Sequence, residues 1–149
     1  MLVLSVDPLP AHHDWKNDIC NIHQMDFPFP LLADPEARIA ALYGMIHPAA
    51  SDTQTVRSLF LIDPSKTIRL TMTYPASTGR NFHEVLRVLD ALQRTDAHQV
   101  STPAGWQPGD AVIIPPAVSD EKAAERFGKN IRMVRPYLRF VPDPDAPAS

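Results

Sequence analysis

Apolar positions along the chain fall into short runs and longer helical stripes. Leu2 to Val6 is a mostly apolar run closed by Asp7 and Pro8, the pattern of a buried strand. From Ala11 to His23 the sequence turns polar, with Trp15 and Ile19 four residues apart and Ile22 next on the same face, which predicts an amphipathic helix. The segment DFPFPLLADP predicts a proline-punctuated loop. A short helix follows from Pro35-Glu36 through Ala40 to Tyr43, stopped by Gly44. Residues 45 to 56 hold no period and predict a surface loop. Val56 to Ile62 and Ile68 to Tyr74 predict two strands, and the turn sequence DPSK between them makes a hairpin. From Asn81 to Arg94, Phe82, Val85, Leu86, Leu89 and Leu92 recur at helical spacing opposite Glu84, Arg87, Asp90 and Gln93, predicting a long helix whose stripe faces a core.

Near Val100 the composition shifts. STPAGWQPGD is rich in proline, glycine and small polar residues, as a boundary or linker is. Beyond it the pattern predicts a strand from Ala111 to Ile114, a helix capped by Ser119 with Asp120 and Glu121 in its first turn, and strands at Ile131 to Val134 and Tyr137 to Val141. PDPDAPAS at the end predicts a flexible tail over residues 142 to 149. The divisions read from this pattern are residues 1–98, 99–141 and 142–149.

Composition narrows the function classes. Fourteen Lys and Arg against seventeen Asp and Glu give a formal net charge of -3, so no basic field exists to hold nucleic acid or an anionic membrane surface. A single cysteine, Cys20, excludes an intrachain disulfide framework and fits a reducing compartment, so the expected location is cytoplasmic. The opening MLVLSVD is too short and too soon polar for a signal peptide or a membrane span, and it reads as the middle of a sheet.

Candidate chemistry gathers at two arginines. Arg57 opens the first hairpin strand, and Arg80 stands at the entrance of the long helix, where the peptide dipoles already favour an anion. Strand ends and helix N-termini are where sites collect in α/β domains, and two guanidiniums there would stabilise a thiolate and polarise an oxygen substrate. Pairing of each arginine with a surface carboxylate is the alternative on spacing alone. Cys20 lies at the far end of its helix, the wrong pole for a thiolate, and reads as structural. His12 and His13 diverge on a helix, and Cys20 with His23 offers at most two ligands, so neither a metal nor a cofactor is expected.

The stretch TVRSLFLIDPSKTIRLTMTYPASTGRNFHEVLRVLDALQ resembles the one-cysteine peroxiredoxins, thiol peroxidases with a thioredoxin-like fold. LVLSVD followed by His12 and Trp15, then FPFPLLADP, IAALYGMIHP and the P-x-x-W-x-x-G-D linker within STPAGWQPGDAVIIPP, match in the same order. The resemblance implies an α/β fold, an incomplete thioredoxin-like domain with a small C-terminal α+β dimerisation unit. It implies reduction of hydrogen peroxide and organic hydroperoxides by a cysteine thiolate, regenerated by an external thiol. Arg57 would hold the thiolate and orient the peroxide, Arg80 would support it, and residues 100 to 141 would join subunits into a homodimer or larger oligomer. The family's P-x-x-x-C-type cysteine motif lies upstream of LVLSVD and finds no match in this sequence. The chain alone is therefore expected to be inactive as a peroxidase, with a strand missing between those of Leu2 to Val6 and Arg57 to Ile62. The alternative reading is a non-catalytic module that pairs with intact subunits.

Overall fold

The computed structural model describes residues 1–47, 49 and 54–146. Their contacts divide the chain into two compact units, Met1–Arg80 and Asn81–Ser149. The compositional boundary at residue 98 therefore falls inside the second unit.

The first unit opens with a βαβ motif. Strand β1 (Val3–Ser5), helix α1 (Leu9–His23) and strand β2 (Leu31–Ala33) place the two strands parallel, Val3 opposite Leu31 and Ser5 opposite Ala33. Strand β2 lies inside the predicted loop. Only three residues long, it is too short to show a period, and it exists because β1 offers it a partner. Asp34, buried just after β2, turns the chain into helix α2 (Arg38–Leu42). Its carboxylate accepts from the Arg38 and Ala40 backbone N–H groups at 3.0 and 2.8 Å, satisfying donors that a helix start leaves open. Gly44, with φ +65°, closes this helix as its sequence position predicts.

A two-stranded antiparallel sheet completes the unit, β3 (Arg57–Ile62) against β4 (Ile68–Tyr74). The DPSK turn is held by Asp63, whose Oδ1 accepts from Thr67 N–H at 3.0 Å while its carbonyl accepts from Lys66 N–H at 2.9 Å. This sheet and the β1–β2 pair are not hydrogen-bonded to each other. Most of the loop predicted over 45–56 lies outside the described residues; at its ends Ile46 bridges Thr55, and Val56 N–H bonds the Met45 carbonyl at 2.9 Å.

Helix α3 (Phe82–His98) belongs to the second unit, followed by β5 (Val112–Ile114), α4 (Asp120–Phe127), β6 (Arg132–Arg135) and β7 (Leu138–Val141). The strands form one antiparallel sheet in the order β5-β7-β6. Asn81 and Ser119 cap the two helices by accepting from the N–H groups three residues on, Glu84 and Lys122. Trp106, Val112, Ile114, Ala123 and Val141 form the core with Ala91 and Val100. The α3 stripe is only partly the core face expected of it: Phe82 and Leu86 remain 59% and 58% exposed. Small Ala91, rather than the large residues of the stripe, is what lets the linker carrying Val100 and Trp106 pack closely on the helix.

The start of the tail is fixed. Asp143 is buried, its Oδ2 accepting from Gly109 N–H at 2.9 Å and its Oδ1 lying 2.9 Å from Arg94 Nε. Asp145 forms an ion pair with the Nη1 arm of Arg94 and hydrogen-bonds His98 Nε2. These charge pairs hold residues at the start of the stretch expected to be a flexible tail, and 147–149 lie outside the described residues.

Candidate functional site

Hairpin register decides what stands beside Arg57. Beyond an irregularity between Leu61 and Ile62, Leu61 pairs with Leu70, Leu59 with Met72 and Arg57 with Tyr74. Residues directly opposite in an antiparallel pair project to the same face, so these six side chains share one side of the sheet. Four are half-buried and apolar, and Arg57 with Tyr74 closes the row at the open end of the hairpin. The other face carries Ser58 and Thr73, whose hydroxyls lie 3.2 Å apart, and Phe60, whose ring meets Tyr43 edge-on at 5.1 Å.

Arg80 follows Tyr74 by six residues. Thr78 N–H bonds the Pro75 carbonyl at 2.9 Å, a turn that folds the chain back after β4 instead of letting it run on. Both arginines are exposed and both belong to the first unit. Arg57 is thus fixed to a strand end by a ladder of backbone bonds, and Arg80 is delivered by a turn from that strand's partner. The tyrosine opposite Arg57 was missed by residue typing. A symmetric count outward from the DPSK turn does not pair the two, because the register shifts between Leu61 and Ile62.

Cys20 sits in the last turn of α1, its backbone carbonyl accepting from Gln24 and Met25 N–H. The carbonyl-rich end of a helix is the wrong pole for an anion. Nearby, Trp15, Phe27 and Phe29 form an edge-to-face aromatic chain with centroids 5.6 and 5.9 Å apart. His12 is a different matter: it is 5% exposed and neither ring nitrogen has a hydrogen-bond partner. Among the described residues no group of three or more His, Cys, Asp or Glu side chains could hold a metal ion. Nor is any helix there long and apolar enough to cross a membrane.

In the second unit, polar side chains serve the fold. Arg87 grips Glu84 through Nε and Nη2 at 2.6 and 2.7 Å and reaches the Trp106 carbonyl at 3.2 Å. The hydrogen bond from Arg87 holds the Glu84 carboxyl below its usual value, and the same contact raises Arg87. Glu121, in the first turn of α4, is also lowered, first by a bond from its own backbone N–H and then by Ser119. Arg139 is buried, with Nη1 on Asp120 at 2.6 Å and Nη2 on the carbonyls of Pro115 and Val118 at 3.2 and 2.6 Å, tying β7 to the entry of α4.

Comparison with known proteins assigns the lineage. Residues 1–71 match the AhpC/TSA family, and residues 91–130 match the C-terminal domain of 1-Cys peroxiredoxin. The chain is 47% identical over 145 residues to a 1-Cys peroxiredoxin of Dictyostelium discoideum, covering 97% of this chain and 60% of that protein. It is 38% identical over 159 residues to peroxiredoxin-6 of Gallus gallus, covering 97% of this chain and 70% of that one. Relatives include a peroxiredoxin of Saccharomyces cerevisiae named as mitochondrial, 45% identical, of which the chain spans 56%. Among solved structures, the yeast mitochondrial 1-Cys peroxiredoxin superposes with a TM-score of 0.87 at 45% identity, over 93% of this chain and 68% of that one. A cysteine-to-serine mutant of the peroxiredoxin 6 of Arenicola marina gives 0.88 at 39% identity, over 97% and 70%. The α/β fold is the thioredoxin-like fold of those proteins, and this chain belongs to the 1-Cys peroxiredoxin family.

Proposed function

We propose that this chain is the arginine-bearing body of a thiol-dependent peroxidase acting on hydrogen peroxide and organic hydroperoxides. The observation that carries the reading is the placement of Arg57 at the open end of the hairpin, with the turn after its partner strand leading to Arg80. The chemistry is a displacement. A thiolate sulfur attacks one peroxide oxygen, the S–O bond forms as the O–O bond breaks, and the alkoxide or hydroxide leaves and takes up a proton. The sulfur is left as a sulfenic acid, which two equivalents of external thiol return to thiol with release of water and a disulfide. Guanidiniums serve this step by favouring the thiolate and by stabilising charge that grows on the leaving oxygen.

The nucleophile in this reading is a thiol other than Cys20, whose place in the last turn of α1 faces the carbonyl pole of the helix. Arg57 and Arg80 then act as electrostatic groups for a thiolate brought to them. Oligomerisation through residues 100 to 141 belongs to the same proposal, supported by the match to the C-terminal domain of 1-Cys peroxiredoxin over 91–130.

Peroxide consumption in the presence of excess dithiol tests it, with the purified chain beside its Cys20→Ser variant. The expected result is no turnover above the uncatalysed rate from either. Turnover by the parent that disappears in Cys20→Ser would make Cys20 the nucleophile and overturn this assignment. The intact mass of the endogenous protein, captured through its C-terminal unit, completes the test. A mass above 16.6 kDa is expected, and in protein of that mass Arg57→Ala should lower kcat/KM by about 10²-fold to 10³-fold.

A further inference from the structure

We propose that Tyr74 is a third member of the peroxide site, its phenol hydroxyl donating to the oxygen-bearing ligand that Arg57 holds. The inference rests on the reading of Arg57 given above and adds to it a residue that determines how the peroxide is gripped. Register carries it. Arg57 and Tyr74 are direct partners across the hairpin, so their Cβ atoms stand about 5 Å apart on one face. Both side chains are long, and both carry their polar group at the tip, so a single ligand at that end of the face is within the reach of each.

The rest of that face explains why the pair matters. Leu59, Met72, Leu61 and Leu70 are all apolar and half-buried, offering no hydrogen bond to either group. The hydroxyls of Ser58 and Thr73 point to the opposite face, where they meet each other. A ligand at the open end of the row is therefore met by two kinds of donor from one pair of residues. The guanidinium offers a planar fork, and the phenol offers a single O–H that can also accept. A hydroperoxide has two adjacent oxygens, only one of which is attacked. A fork on one oxygen and a hydroxyl on the other would tell the two apart. The plainer role for a strand tyrosine is to pack its ring beside the arginine, a role phenylalanine would fill equally.

The two roles separate on one atom. In the Cys20→Ser background, which cannot consume peroxide, the Arg57 side-chain Nε–Hε resonance is followed during titration with tert-butyl hydroperoxide. A saturable shift is expected, lost in Arg57→Ala. Tyr74→Phe should weaken binding about fivefold, the size of one hydrogen bond. Tyr74→Phe titrating like its parent would overturn the role of the hydroxyl while leaving the arginine site standing. A parent with no saturable Arg57 shift would overturn both. Should Tyr74→Phe fail to fold, the Tyr74 Cζ resonance of the unsubstituted ring decides: it must move in parallel with Arg57, and a Cζ shift indifferent to peroxide rejects the proposal.

Discussion

Arg94 holds Asp143 with Nε 2.9 Å from a carboxylate whose side chain is wholly buried. The same carboxylate takes the Gly109 N–H, so one side chain ties helix α3, the linker loop and the end of β7 together. Removing it leaves Arg94, itself 14% exposed, without its buried partner. Asp143→Ala should cost about 3 kcal/mol, the usual loss when one member of a buried pair is deleted, read as a drop in urea midpoint. Asp145→Ala, on a carboxylate that is 54% exposed, should cost well under half as much.

His12 predicts a change of opposite sign. An imidazole buried with both nitrogens unpartnered loses its hydration without compensation. His12→Leu, close in volume and without polar atoms, should raise stability by about 1 kcal/mol in chemical denaturation. A loss of that size instead would mean the ring has a partner in solution.

The Glu84–Arg87 pair predicts a pH dependence. Because the hydrogen bond from Arg87 lowers the folded-state value of Glu84 below 4.5, its contribution is complete above that pH. It is lost as pH falls below 4.5 and passes through the lowered value. Glu84→Gln should flatten the melting temperature against pH in that acid range and leave the profile near pH 7 parallel to its parent. The pair is half-buried and still reached by solvent, so the effect is small and shrinks with added salt.

Lys66 closes the hairpin turn at φ +65°, a left-handed conformation that a Cβ disfavours. Lys66→Gly should stabilise the hairpin by about 0.5 to 1 kcal/mol, with unchanged circular dichroism. The neighbouring Asp63 bonds keep the turn type the same in either variant.

Periodic stretches of the fold were legible, and short or pair-dependent ones were not. The hairpin and α3 could be read because DPSK and the 3.6-residue stripe are local signals. Strand β2 could not, since three residues between prolines become a strand only when β1 lies alongside. The exposure of Phe82 and Leu86 was equally hidden: a stripe says which side of a helix is apolar, while the size of Ala91 decided where the linker packed. The pairing at the start of the tail depended on Arg94, 49 positions before Asp143 in the chain. Of the candidate site, Arg57 and Arg80 were named from residue type and position, whereas the partnership of Arg57 with Tyr74 needed the register.

The β1–β2 pair carries a consequence for how the molecule is taken apart. Three parallel ladder positions, with a neighbour on one side only, leave the Val3–Ser5 amides guarded by little more than a turn of backbone bonding. Tritium or deuterium from solvent should enter there within minutes, long before it reaches Val112 and Ile114, which are wholly buried in one core with Trp106. A protease sampling the same openings would make its first cut near the N-terminal βαβ motif and leave a resistant fragment built on the second unit. The wear pattern of the protein is in this sense set by the shortness of one strand.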